Sequence, residues 1–489
     1  MESKSISSGE ALVARDQDDI DNSGDLNDKP MDYSLSAMDR QYATQTSVPR
    51  RIHILGTGSI GKLVAHSLRG IANPPPVTLL LHKRALLDAW ENSAKEITIS
   101  DDGTEIKRKG YEVELLPLIM RQHGVELKEG ETGLYDAEGI WRPHEAAQVA
   151  KEQEEEQEQE APGESSDEAT EEMVEKFDDD GNPIEDDTIH NLLVTTKAPV
   201  TIAALAGIKH RLAPTSTICF LQNGMGVIDE VNAKLFPNEQ DRPNYMQGII
   251  THGVNVPPAI AERNPFYAVH AGHGTIALSL QPSSASNSPV TDLAQPADRD
   301  IHDIQSELWA DSSRYLLRTL TRTPVLCAVG FTPNELLQLQ LEKLAVNSVL
   351  NPLTVLLDAR NGSILYNFAM TRTLRLMLAE TSLVIRSLPE LQNVPNIETR
   401  FSSQRLETLV VNVANTTRDN ISSMLADVRA GRQTEVEYIN GYIVRRGEEI
   451  GIKCVVNYAI MQTVIGKANM TQREVRGEYA TEPRDPNAT

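Results

Sequence analysis

Cysteine is scarce in this 489-residue chain: Cys219, Cys327 and Cys454 are its three, each more than 100 residues from the next. An odd number at that spacing excludes a disulfide framework and a CxxC metal or redox pair, and fits a reducing compartment. No metal-ligand set is read from the sequence. Aromatic residues make up 4% of the chain, with three Trp, which gives no row of rings for stacking a polynucleotide. Basic residues are in deficit, 46 Lys plus Arg against 70 Asp plus Glu, so a basic nucleic-acid face is not expected. No run approaches the roughly 18 uncharged apolar residues of a membrane span. The N-terminal MESKSISSGEALVARDQDDIDNSG is acidic, unlike a signal peptide or an Arg-rich transit peptide. The expectation is a soluble cytoplasmic protein without nucleic-acid or membrane partners; a mitochondrial location would lack an evident transit peptide.

The acidity that is present is concentrated. Of the net charge of −24, residues 151–187 carry −16 and residues 1–49 carry −6, which leaves −2 for everything else. Residues 1–49, rich in Ser, Asp, Asn and Gly, cannot bury enough apolar surface to offset chain entropy, and read as a disordered tail. Residues 128–187, with KEQEEEQEQE at their centre, read as an acidic disordered insertion, more a solubilising spacer than a regulator. Between and after these lie two globular regions. Residues 50–320 alternate apolar strands with helix-length segments, the pattern of an open, mainly parallel α/β sheet. Within them, 97–116 suggest a hairpin around Asp101-Asp102-Gly103, 269–280 one strand, and 281–300 a surface loop. Residues 321–472 are helical in periodicity, with segments at about 363–388, 401–428, 432–451 and 456–467, and 473–489 read as a tail. The longest helix opens at Thr332-Pro333-Asn334-Glu335, a capping box with Pro at the first helical position.

The α/β region begins with a strand at Ile52–Leu55, then Gly56-Thr57-Gly58-Ser59-Ile60-Gly61, then Leu63, Val64 and Leu68 at helical spacing. In that context Gly56 permits a sharp turn, Gly58 admits a pyrophosphate to the backbone amides, and Gly61 allows close helix–strand packing. The helix N-terminus then faces the phosphate. A second strand ends in His82-Lys83-Arg84 where a dinucleotide site recognises the ribose. Positive or donor groups there, in place of an acid, favour a 2′-phosphate and hence NADPH. Lys197 and Gln222-Asn223-Gly224 follow two further strands and converge on the same crevice.

On the long helix, Lys343, Asn347 and Asn351 recur at i, i+4 and i+8 among leucines and valines, a polar row that is costly unless something satisfies it. Asn351 precedes Pro352, expected to end or kink the helix. Asn361-Gly362 forms a turn, and Ser422, Ser423, Glu435 and Asn440-Gly441 add a hydroxyl, a carboxylate and an amide from other helical segments. Such a cleft suits a small oxo acid, with the lysine as proton donor. His252, alone after a strand, reads as structural.

GTGSIG, TKA at 196–198, QNGMG at 222–226, THGV at 251–254, EKLAVNSVLNPLTVLLDARNG at 342–362 and SSMLADVRAGRQTEVEYINGY at 422–442 together resemble the ketopantoate reductase (2-dehydropantoate 2-reductase) family. The resemblance runs from Arg51 to about Lys467 apart from the insertion. It implies a Rossmann-like N-terminal domain, an all-helical C-terminal domain and NADPH-dependent reduction of 2-dehydropantoate to (R)-pantoate, a step of pantothenate and coenzyme A biosynthesis, in the cleft between them. By motif position Lys343 would be the general acid, and Asn223, Asn347, Asn351, Asn361 and Ser423 would contact substrate. Gly56, Thr57, Gly58, Ser59, Ile60, Gly61, Lys197, Asn223, Val254 and Glu435 would contact NADPH. His82, Lys83 or Arg84 would read the 2′-phosphate. The expected partner is a small 2-oxo acid, and a homodimer is admitted. Two alternatives remain at this point: a reductase of another 2-oxo acid, and a non-catalytic NADPH-binding regulatory or interaction protein.

Overall fold

Apolar residues in short runs after residue 50 build a sheet, and their order in it decides where a ligand can sit. A computed structural model describes residues 49–116, 187–281 and 309–476, with four short strands between 120 and 144 described by their backbone pairing. Residues 1–48 of the tail, the body of the insertion 128–187, residues 282–300 of the loop and most of the tail 473–489 lie outside these residues.

The first unit is β1 (Ile52–Leu55), α1 (Ser59–Leu68), β2 (Val77–Leu81) and α2 (Arg84–Glu91), followed by β3 (Glu96–Asp101), β4 (Thr104–Lys109) and β5 (Tyr111–Leu115). Asp102 and Gly103 both take positive φ, which closes β3 onto β4 as a two-residue hairpin turn. Strands β6 (Met120–Gln122) and β7 (Val125–Leu127) pair with each other, as do β8 (Thr132–Tyr135) and β9 (Trp141–His144), so strand pairing reaches into the segment read as an insertion. The chain continues with β10 (Asn191–Val194), α3 (Ala198–Ala206), β11 (Thr217–Phe220), α4 (Val227–Lys234), β12 (Asn244–Ile250), β13 (Gly253–Asn255), α5 (Pro258–Ala261), β14 (Tyr267–Gly272), β15 (Ile276–Leu280), α6 (Asp311–Thr321) and β16 (Ala328–Gly330). The single strand expected over 269–280 is therefore two, β14 and β15, which belong to different sheets.

The main sheet runs β16-β15-β12-β11-β10-β1-β2-β5, parallel from β5 to β12, with β15 antiparallel to β12. The order reverses between β1 and β10, so the crevice for a ligand lies beyond their carboxyl ends. Both faces are covered. Leu63, Val64 and Leu68 of α1 join Ile52, Ile54 and Leu79 in one apolar core, and Leu205 and Val231 of α3 and α4 join Leu192, Val194 and Ile218 in another. A second sheet, β13-β14-β3-β4, packs on α1.

The remaining chain is helical: α7 (Pro333–Leu357), α8 (Phe368–Arg386), α9 (Ile397–Arg400), α10 (Ser403–Thr416), α11 (Ser423–Arg429), α12 (Val436–Glu449) and α13 (Val455–Arg476). The segment expected over 401–428 is two helices, and α13 continues to Arg476, past the expected start of the tail. The capping box at Thr332 and Glu335 is present in both directions. Pro352 neither ends nor breaks α7, which continues to Leu357. Proline at 352 removes the N–H that the Ser348 carbonyl would accept. The buried Asn440 amide of α12 donates to that carbonyl instead, at 2.8 Å.

Candidate active site

The turn after β1 is built from close approach. Gly56 has φ +106°, and a Cβ there would meet the Thr196 backbone nitrogen at 2.8 Å; at Gly61 it would lie 1.9 Å from the Gly56 carbonyl oxygen. A Cβ on Gly58 would meet nothing within 4 Å. Gly58 is the N-cap of α1 and gives no side-chain cap, so open space and unclaimed helix amides coincide where a pyrophosphate would approach. Thr57, Ser59 and Ile60 lie half-buried along the same turn. His82, Lys83 and Arg84 are exposed at the end of β2. Partial desolvation of the ring and the charge of Lys83 lower the His82 pKa. This chemistry fits a phosphorylated dinucleotide. Val254 lies half-buried in β13.

The second half of the site comes from α7. Lys343 Nζ donates to Asn223 Oδ1 at 2.9 Å and to the Ile250 carbonyl at 2.8 Å. An ammonium has three protons, so one remains for the cleft, which Gln222, Asn223, Gly248, Gln340, Lys343 and Asn347 line. Burial lowers the Lys343 pKa to about 8, against an upward pull from Glu435. Asn223 is fixed at both ends, since its Nδ2 donates to Glu435 Oε2 at 3.2 Å. The loop that carries it is clamped to α12: the Met225 N–H donates to the Tyr438 carbonyl at 2.9 Å, and a Cβ on Gly224, whose φ is +86°, would lie 2.6 Å from Tyr438 Cβ.

Behind Asn223 the polar chain continues across the interface between the two regions. Lys197 Nζ is 2.7 Å from Asp427 Oδ2 and 3.7 Å from Glu435 Oε2. Burial pulls the Lys197 pKa down, but Glu435 and Asp427 outweigh it and the net shift is upward. Burial raises the Glu435 pKa, opposed by Lys197, by the Asn223 amide and by the Ala198 N–H. Arg432 completes the row with a 3.1 Å bond to Asp427.

Comparison with known proteins identifies the family of the chain. Residues 136–282 match the family described as "Ketopantoate reductase PanE/ApbA" and residues 335–468 its C-terminal counterpart, "Ketopantoate reductase PanE/ApbA C terminal", together more than half of the chain. The chain belongs to the ketopantoate reductase family. It is 31% identical over 276 residues to a "Probable 2-dehydropantoate 2-reductase" of Schizosaccharomyces pombe, covering 56% of this chain and 73% of that protein. A "Ketoisovalerate reductase" of Beauveria bassiana is 23% identical over 455 residues, covering 85% of this chain and 82% of that one. The solved ternary structure of D-mandelate dehydrogenase with NADH and anilino(oxo)acetate aligns with a TM-score of 0.52 at 14% identity, over 86% of this chain and 99% of that one. At that identity the likeness is one of fold. The same α/β sheet followed by a helical region is the fold of a solved PanE/ApbA family ketopantoate reductase from Ralstonia eutropha, which aligns with a TM-score of 0.52 at 14% identity over 86% of this chain and 99% of that one.

Of the site residues expected from the sequence, Lys343, Asn347 and Asn223 line one cleft, and Glu435 and Lys197 join it through Asn223. Asn351, Asn361 and Ser423 are not in that lining. Asn351 is buried one turn beyond Asn347. Asn361 donates through Nδ2 to Thr417 Oγ1 at 2.9 Å and through its backbone to the Asn420 carbonyl, while its buried Oδ1 has no partner. Ser423 is exposed at the first turn of α11, beside Ser422, which caps that helix and shares a 2.7 Å bond with Thr354 of α7. Gln340 and Asp427 were not anticipated. Gln340 extends the polar row of α7 by one turn, and Asp427 is an acid among the apolar residues of α11, so each carried a signal in its spacing.

Proposed function

We propose that the protein reduces 2-dehydropantoate to (R)-pantoate with NADPH, with Lys343 as the general acid. The observation that carries this reading is the Lys343 ammonium held by Asn223 and Ile250 in the wall of a cleft, with one donor uncommitted among those bonds. The nicotinamide, when bound, supplies the hydride. Lys343 hydrogen-bonds the substrate carbonyl oxygen, polarises the carbonyl, and passes its proton as negative charge develops on that oxygen. It ends as a neutral amine, a state that its lowered pKa brings within reach near pH 8. Asn223 orients the ammonium, and Glu435 orients Asn223. The turn from Gly56 to Gly61 and the pair Lys83 and Arg84 would hold the dinucleotide phosphates, and Lys197, Glu435 and Val254 would contact the rest of the dinucleotide. From the cleft wall Asn347 would contact the acid's carboxylate and hydroxyl, while contact by Asn351, Asn361 or Ser423, which lie outside that lining, would need the cleft to close around the acid.

The fungal ketoisovalerate reductases support a second reading, reduction of 2-oxoisovalerate, because one of them aligns over 85% of this chain. The two acids differ by a hydroxymethyl group. The Asn347 amide has no hydrogen-bond partner among the described residues, and a site built to bond a hydroxyl discriminates strongly against the analogue without it. That favours the hydroxylated substrate. The test is oxidation of NADPH, followed at 340 nm, with each acid and with NADH in place of NADPH. Selective turnover of 2-dehydropantoate with NADPH is expected; preference for 2-oxoisovalerate would install the second reading. Binding of NADPH without turnover of either acid would make the protein a non-catalytic member of its family.

A further inference from the structure

Away from the catalytic cleft, three side chains meet at the rim of the second sheet. Asp101 ends β3, His270 lies in β14 and His273 stands in the turn after it; one ligand atom from each lies within 4.8 Å of the other two. His273 Nε2 is 2.9 Å and His270 Nδ1 3.8 Å from the Asp101 carboxylate. Their spacing along the chain carries no metal motif. Parallel pairing of β14 with β3, which sets His270 opposite Asp101, assembles them.

The hydrogen bonds behind the cluster fix which nitrogen of His270 carries a proton. The Gly274 N–H donates to His252 Nδ1 at 3.1 Å, so that nitrogen accepts. The proton of His252 is therefore on Nε2, which donates to the Leu326 carbonyl at 3.0 Å. The 3.0 Å contact between His252 Nδ1 and His270 Nε2 then needs a proton on His270 Nε2. His270 Nδ1 is left with a bare lone pair, buried and without a hydrogen-bond partner, and it looks onto a carboxylate. Two acceptors face each other there, and the residue is 2% exposed. Asp101 and His273 keep solvent access, which gives an ion a way in.

We propose that Asp101, His270 and His273 bind a divalent transition-metal cation of the zinc class, through an Asp101 oxygen, His270 Nδ1 and His273 Nε2, with solvent in the fourth position. Two imidazoles and a carboxylate are a ligand set that zinc accepts in tetrahedral geometry. His252 plays the part usual behind a metal-bound imidazole, taking the proton of the other ring nitrogen and fixing the tautomer. The cation would clasp the β3–β4 hairpin to the β14–β15 turn. It would also steady His252, two residues beyond the Ile250 carbonyl that holds Lys343.

The test is titration of the full-length, chelator-treated protein with Zn²⁺ in competition with a chromophoric indicator, repeated with Co²⁺ to read the visible bands of a tetrahedral site. One tight equivalent is expected in the wild type. In His273→Ala, whose side chain is exposed and whose loss spares the fold, affinity should fall by at least about 100-fold, beyond what loss of an outer partner typically costs. Asp101→Asn should also weaken binding, and the Co²⁺ bands should vanish in His273→Ala. His210→Ala, at an exposed histidine elsewhere, should leave both readouts unchanged. No tight equivalent in the wild type, or one that persists unaltered in His273→Ala and Asp101→Asn, overturns the proposal.

Discussion

Two lysines, one in each half of the molecule, have the same depressed pKa and face different things. Lys62 of α1 and Lys343 of α7 are both lowered to about 8, and burial is the largest cause for each. Lys62 is 4% exposed and donates to the carbonyls of Pro265 and Tyr267 at 2.9 and 3.0 Å, pinning α1 to the second sheet. Lys343 also has two acceptors, but it stands in the wall of a cleft beside Asn347 and Gln340. Burial alone therefore produces the shift, and access separates a proton donor from a strut.

The comparison breaks most sharply under truncation. Lys343→Ala should lower turnover by about 10²–10⁴-fold, the usual contribution of a positioned general acid, with NADPH affinity nearly unchanged in a fluorescence titration. Unchanged turnover would remove Lys343 from the chemistry and leave both lysines as struts. The pH profile sharpens the point. Reduction needs the protonated amine, so turnover should be level below the Lys343 pKa of about 8 and fall about tenfold per unit above it. A profile level to pH 10 would mean that another group supplies the proton.

Lys62→Met is the counter-experiment. It leaves two buried carbonyls without their ammonium donor, a loss of about 1–3 kcal/mol, and should lower the unfolding midpoint in urea while keeping the alkaline limb of the pH profile where it was. A variant as stable as the wild type would mean that the cost of burying the charge offsets both bonds.

The two halves also differ in how much of them the sequence disclosed. The nucleotide turn is contiguous: six residues from Gly56 to Gly61, set between a strand and a helix, state their own geometry, because Gly56 and Gly61 each answer a local steric demand and Gly58 leaves the space between them open. The polar row of α7 was legible for the same reason, since helical periodicity places Lys343 and Asn347 on one side. What joins them was not legible. The Lys343–Asn223–Glu435–Lys197–Asp427 chain spans β11, α3, α7, α11 and α12, and only tertiary packing creates it. Pro352 does not end α7 for a related reason, because the amide that replaces its missing hydrogen bond sits 88 positions away in α12. The second sheet was missed because β13, β14 and β3 come from distant stretches, and with it the neighbours that make His252 one of a cluster.

The smallest expected effect lies at the edge of the nucleotide crevice, where Lys83 and Arg84 are exposed and Arg84 already pairs with Asp88 at 3.1 Å. An exposed ion pair supplies up to about 1 kcal/mol, or roughly fivefold in affinity, and salt screens it. Lys83→Ala and Arg84→Ala should therefore each weaken NADPH by no more than about fivefold, with NADH almost unaffected and the difference shrinking at high ionic strength. Arg84 should matter more if its planar guanidinium leaves Asp88 to grip the 2′-phosphate with two donors. Lys83 should matter more if the pair with Asp88 persists, since its ammonium is then the uncommitted charge. Equal weakening of NADPH and NADH would make both residues general surface charge, and cofactor preference would have to come from inside the crevice, as proton donation does at Lys343.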